Sequence, residues 1–157
     1  MKFVFLSFAL FASLAAHSYE TTHLRLEPPK NWKESSGLFG SDVMFIREGQ
    51  IKKGPGSVFV KKMKTPKEVK DYPAFLKKII KRSQKDRPQG PLSVEVTTKS
   101  QSRNFIHTTY RSSTEERETV KVFVGILPLS KKNYYFIYYK DLPSEFDQHL
   151  TEVKNSI

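Results

Sequence analysis

Two runs near the C-terminal end, residues 120–127 (VKVFVGIL) and 134–140 (YYFIYYK), do most to limit what this chain can become. Both are rich in β-branched and aromatic residues and apolar at odd and even positions alike, the pattern of central strands. A short loop carrying Lys131 and Lys132 separates them. The pair therefore reads as the middle of an antiparallel meander.

The pieces around them follow from the same rules. Leu92, Val94 and Val96 alternate with Ser93, Glu95 and Thr97, and residues 104–112 read as the next strand. Earlier in the chain, residues 23–27 place Leu24 and Leu26 opposite Arg25 and stop at Pro28-Pro29. Residues 30–40 form a polar, glycine-bearing turn region holding the single tryptophan, Trp32, placed to plug one end of the core. Residues 42–47 (DVMFIR) are a strand, 49–56 (GQIKKGPG) a loop with hairpin glycines, and 57–63 the returning strand. In that last strand Val58 and Val60 face one way, Phe59 and Lys61 the other.

Thr65-Pro66-Lys67-Glu68 has the form of a helix start, with Thr65 as cap, Pro66 at the first helical position and Glu68 completing a capping box. Val69, Tyr72, Leu76, Ile79 and Ile80 then recur at helical spacing, with Lys77, Lys78, Lys81, Arg82 and Lys85 outside that stripe. Pro73 requires either a bend or a restart at Asp71. A second helix opens at Ser144-Glu145-Phe146-Asp147 and aligns Phe146, Leu150, Val153 and Ile157. The order strand, strand, strand, helix, four strands, helix predicts an α+β fold. Its antiparallel twisted sheet has about six or seven strands, with two helices packed on one face.

Residues 1–18 (MKFVFLSFALFASLAAHS) have the form of a signal peptide: Lys2, an apolar core, and Ala16 with Ser18 at the cleavage site. The apolar run falls short of the roughly 20 residues that span a bilayer. Residues 19–157 are then expected to form one exported domain, periplasmic or secreted and soluble, with no membrane-spanning segment left after cleavage. The absence of Cys rules out a lipoprotein anchor, thiolate catalysis and Cys-based metal sites. No Asn-x-Ser/Thr acceptor occurs, which leans towards a bacterial periplasm.

Charge points to the class of partner. Lys and Arg number 27 against 16 Asp and Glu, for a net charge of +11. Such an excess attracts anionic surfaces, and the expected partner is an anionic envelope component or an acidic protein. Two basic groups stand out: Lys52, Lys53, Lys61 and Lys62, with Arg47 and Lys64, and the helix set Lys78, Lys81 and Arg82, with Lys77 and Lys85. The candidate binding residues are Lys52, Lys53, Lys61, Lys62, Lys78, Lys81 and Arg82. The export signal argues against nucleic acid as the partner, although the tyrosine run offers stacking surfaces.

No catalytic, cofactor-binding or metal-ligating residue is assigned. His23, His107 and His149 lie far apart and lack zinc-hydrolase spacing, and no Gly-x-Ser-x-Gly elbow occurs. Glu115, Glu116 and Glu118 sit in a charged turn where solvation accounts for them. The alternative to a binding protein is a small secreted hydrolase or hydrolase inhibitor acting on cell-wall or extracellular substrates.

The opening LRLEPPKNW segment, the basic hairpin, the helix after TPKEV, the long meander and the helix after a tyrosine-rich strand resemble the PsbP-like fold. That fold is shared by the photosystem II protein PsbP and bacterial DcrB-type exported proteins. A cystatin-like or nuclear transport factor 2-like cone fits the same element order. The resemblance covers nearly all of residues 19–157 and implies an assembly, stability or binding factor without catalysis of its own, and it carries over no catalytic residue.

Overall fold

The computed structural model describes residues 18–35, 40–49, 55–83, 92–99, 103–113 and 119–155. A small antiparallel hairpin, β1 (Tyr19–Glu20) with β2 (Arg25–Leu26), precedes the main sheet. The sheet is formed by β3 (Trp32–Glu34), β4 (Val43–Arg47), β5 (Ser57–Lys64), β6 (Glu95–Lys99), β7 (Arg103–Ser113), β8 (Thr119–Pro128) and β9 (Asn133–Asp141). Its order is β3-β4-β5-β9-β8-β7-β6, every neighbouring pair antiparallel. Helices α1 (Tyr72–Ser83) and α2 (Pro143–Asn155) follow β5 and β9. The fold is α+β, and the two doubly apolar runs are its central strands β8 and β9.

The helices lie on opposite faces of this sheet, not on one. In β9 the side chains of Tyr135, Ile137 and Tyr139 join Val58, Val60, Phe123 and the α2 residues Phe146 and Val153 in one core. The alternate residues of β8, Val122, Val124 and Ile126, pack with Tyr134 against Leu76 and Ile80 of α1 in a second. Strands apolar at every position present two surfaces to cover, and a single helical layer would leave one wet. The Leu24 and Leu26 side chains of the N-terminal hairpin complete the α2 side.

Local starts differ from the expected ones for identifiable reasons. Thr65 does not cap a helix: its N–H donates to the Lys132 carbonyl at 2.8 Å, and Val69 N–H donates to Lys131 at 2.8 Å. The Thr65–Val69 stretch is thereby tied to the β8–β9 turn. The helix begins after Asp71, whose carboxylate accepts the Ala74 N–H at 3.0 Å. Pro73 then falls in the first turn, where its missing N–H removes no helical bond. In α2, Pro143 takes the first position and Phe146 N–H closes the first turn on the Leu142 carbonyl at 2.9 Å, so Ser144 lies inside the helix and does not cap it. Residues 23–27 yield only the two-residue β2, and Trp32 lies in an edge strand rather than a turn, buried against Tyr139 and His149 with ring centroids 6.1 and 5.6 Å away.

A buried carboxylate joins the layers on the α2 side. Asp141, fully buried at the end of β9, accepts from Arg47 of β4 at 3.0 Å, His149 of α2 at 3.1 Å, Tyr139 at 3.2 Å and the Leu142 N–H at 2.8 Å. Tyr139 Oη also reaches the Phe146 carbonyl at 3.3 Å. Gly56 lies beneath Arg47: its φ is +74°, and a Cβ there would sit 2.9 Å from Arg47 Nε. Gly125 makes similar room on β8, where a Cβ would fall 2.3 Å from the Phe105 ring.

Truncating Asp141→Ala leaves Arg47, Tyr139 and His149 without their shared acceptor, so it should destabilise the protein by about 3–5 kcal/mol in denaturant unfolding. A loss below about 1 kcal/mol would contradict the role given to this carboxylate.

The tyrosines report on the same packing. Burial raises the Tyr138 hydroxyl from 10.0 to about 12, and burial reinforced by Tyr138 carries Tyr110 further upward. Burial, and then the Asp141 charge, pushes Tyr139 up as well. Values raised in the folded state contribute stability that is complete below the unfolded value and lost as pH rises through the folded one. Tyrosinate absorbance should therefore lag an unfolded control and appear together with loss of near-ultraviolet dichroism as pH climbs from 10.0 towards about 12. Free ionisation of every tyrosine with the fold intact would refute this packing.

Candidate functional site

The α1 helix segregates its charges completely. Leu76 and Ile80 are buried and Phe75 and Ile79 half-buried, so the sheet holds one side of the helix. Ala74, Lys77, Lys78, Lys81 and Arg82 recur at three- and four-residue spacing on the opposite side and line a shallow surface depression. All four cations are exposed, the helix has no acidic residue, and none of the four pairs with a carboxylate among the described residues. Lys81 and Arg82 occupy the last turn, where the helix dipole favours them.

Several other described cations are engaged. Arg25 pairs with Glu27 at 2.6 Å, Lys33 with Glu48 at 2.6 Å and Lys121 with Asp147 at 2.7 Å. Arg47 spans Asp141 at 3.0 Å and Glu145 at 3.5 Å. The α1 stripe differs from these paired cations in being uncompensated among the described residues.

The expected basic residues are only partly brought together. Lys78, Lys81 and Arg82 share the stripe. Lys61 lies on the same side of the sheet as α1, beside Phe136 in register, but over β5 rather than over the strands α1 covers. Lys62, one residue on, points to the α2 side, where its own N–H donates to Asp42 at 2.6 Å. Strand alternation sends these neighbours to opposite faces of the sheet. Lys52 and Lys53 lie outside the described residues, as do Lys85 and the acidic turn at 114–118.

A second cluster was not visible in the linear reading. The β5–β9 register sets Lys64 opposite Asn133, and the bonds from Thr65 and Val69 bring exposed Lys64, Lys67 and Lys70 beside exposed Lys131 and Lys132. Glu68 offsets part of this charge through Lys131 at 3.6 Å. The available signal was the pair of lysine-bearing turns, TPKEVK and SKKN, at the same end of two strands; treating the first as helix concealed it.

The buried Asp141 and His107 and the half-buried His149 are used in packing. His149 Nδ1 and the fully buried Asp141 form an oriented imidazole–carboxylate pair, but both carboxylate oxygens are shared with Arg47, Tyr139 and backbone, and no hydroxyl faces His149 Nε2 among the described residues. His107 is buried between Phe105 and Phe123, with Thr97 Oγ1 3.1 Å from Nε2 and Glu95 3.7 Å from Nδ1. No three metal-ligating side chains converge among the described residues. No helix among them is long and apolar enough to cross a membrane.

No protein-family model matches the sequence, and no curated protein matches it either. Similarity appears in three dimensions. Cyanobacterial PsbP from Synechocystis superposes with a TM-score of 0.59 at 14% identity, over 89% of each chain. LpqN of Mycobacterium tuberculosis, described as involved in cell envelope biogenesis, gives 0.56 at 12% identity over 84% of this chain and 78% of that one. A Pseudomonas aeruginosa protein of unknown function gives 0.50 at 11% identity, over 88% and 91%. With a seven-stranded antiparallel sheet, helices after its third and seventh strands and this set of neighbours, the chain has a PsbP-like fold.

Proposed function

We propose that this chain is an exported, non-enzymatic accessory protein that meets an anionic envelope component or an acidic protein through its basic surface. The observation that carries the reading is the uncompensated α1 stripe, Lys77, Lys78, Lys81 and Arg82, on a helix whose other side is committed to the core. Lys61 adds charge on the same side of the sheet, and Lys52, Lys53 and Lys62 contribute to the general field. A shallow, open depression lined by cations suits a broad array of negative groups better than one enclosed small molecule. The likeness to LpqN, described as an envelope biogenesis protein, supports the compartment, and the form of residues 1–18 supports export. Residues 19–157 act in this reading as one domain after removal of the leader.

Reversing three charges tests the surface without touching the core. The variant Lys78→Glu/Lys81→Glu/Arg82→Glu should fold normally and bind phosphatidylglycerol-rich vesicles, or an acidic partner recovered from the envelope, about a hundredfold more weakly; each cation near an anionic surface is worth about 1 kcal/mol. Added salt should weaken the unaltered protein in the same direction. Retention unchanged on vesicles and in envelope pull-downs would remove the stripe from the function. Export has its own readout: N-terminal sequencing of the protein recovered outside the cytoplasm should begin at Tyr19, and an intact Met1 would defeat the leader reading.

A further inference from the structure

The four cations of α1 form two rails. The 3.6-residue period puts Lys77 and Lys81 in one row and Lys78 and Arg82 in the next, with Ala74 between the rows at the helix start. Ala74 has no side chain beyond its Cβ, so the shallow depression between the rails stays open at that end. From Ala74 to Arg82 the helix axis advances about 12 Å. The cations thus make a line one helix wide, whereas β9 on that side of the sheet presents half-buried Phe136 and Tyr138.

The open end of the depression leads to the second basic cluster. Tyr72 Oη donates to the Ser130 carbonyl at 2.7 Å and Val69 N–H to the Lys131 carbonyl at 2.8 Å, so the first turn of α1 is held against the β8–β9 turn. Exposed Lys64, Lys67, Lys70, Lys131 and Lys132 gather there. Residues 64–82 and 130–133 together hold nine Lys and Arg against two carboxylates. Of these two, Glu68 pairs with Lys131 at 3.6 Å and Asp71 accepts the Ala74 N–H at 3.0 Å. Tyr72 and Phe75 pack on Tyr134, with ring centroids 6.2 and 5.6 Å away, so the line itself is made of Lys, Arg and Ala.

We propose that this line is a track for one strand of a linear polyanion, an unbranched chain carrying phosphoryl groups at short regular intervals. The strand enters at the corner of Lys67, Lys70 and Lys132, passes over Ala74 and lies between the α1 rails. The proposal rests on the basic-surface reading above and narrows its partner. Cations in file match charges strung along one flexible chain, whereas a planar headgroup layer is met by a broad basic face. Nucleic acid bases are held by aromatic platforms and edge contacts, while rails of Lys and Arg beside a bare alanine offer phosphate contacts alone. The chain is therefore recognised by its charge and its length.

Chain length is the variable that tests a track. Inorganic polyphosphate should bind the purified protein at least about tenfold more tightly as it lengthens from triphosphate to a chain that reaches from Arg82 to Lys132. Lys67→Ala/Lys70→Ala/Lys132→Ala removes three phosphate contacts, so it should erase that gain and lower the log–log salt slope for the long chain by about 2. Ala74→Glu sets a carboxylate between the rails at the third helical position, where a capping box with Asp71 keeps the helix start intact. It should weaken the long chain severalfold, with Ala74→Gln as the uncharged control that retains binding. Affinity indifferent to chain length, or a long chain bound equally well by the turn variant or by A74E, would overturn the track. If the triple α1 reversal abolishes vesicle binding while polyphosphate shows no length dependence, the partner is a lipid surface: the track fails and the basic-surface reading stands. If that reversal changes neither vesicle nor polyphosphate binding, both fail.

Discussion

The Asp141 carboxylate is the point on which one side of the molecule depends. It lies at the end of the strand that pairs with both β5 and β8, one residue from the start of α2, with donors from β4, β9, α2 and the intervening backbone. A buried charge is tolerated only when paired and hydrogen-bonded, and this one has a donor in each available direction. In return it fixes how α2 leaves the sheet. Trp32 packs on His149 and Tyr139, Tyr139 stacks on Phe146 at 4.9 Å, and Gly56 leaves room for Arg47. The β3–β4 edge, the helix and the N-terminal hairpin are thus positioned around one acceptor.

The second constraint is the apolar character of β8 and β9 on both faces. With α2 and the hairpin on one side, the alternate residues of both strands still need cover, and α1 supplies it over β7 and β8. A helix held in that way must turn its remaining residues to solvent, so the charge stripe of α1 is a consequence of how it is buried. The layering thus decides where a basic surface exists at all.

Much of this was legible along the chain, and the misreadings have physical causes. The strands from β4 onward follow from period-two spacing, and Leu76, Ile80, Phe146 and Val153 with Lys78, Lys81 and Arg82 from 3.6-residue spacing, whereas Val69 falls before α1 and Ile157 lies outside the described residues. The Thr65 start was mistaken because carbonyls at 131–132, distant in sequence, take the N–H groups that a capped helix would have oriented. Ser144 was displaced by Pro143, whose fixed φ suits the first helical position. Grouping Lys61 with Lys62 ignored the alternation that sends adjacent strand residues to opposite faces. Helices on one face was an expectation at odds with the doubly apolar strands themselves.

What the sequence by itself determined is most elements from β4 onward, the identity of the central strands and the outward face of α1, because these depend on periodicities within ten or so residues. Tertiary structure decided the rest: which layer each helix joins, that Asp141 meets Arg47 across 94 positions of sequence, and that lysines of two separate turns share one end of the molecule. Those outcomes depend on strand order and register. Register is a relation between distant segments, set by which buried surfaces and backbone groups satisfy one another, and no local spacing encodes it.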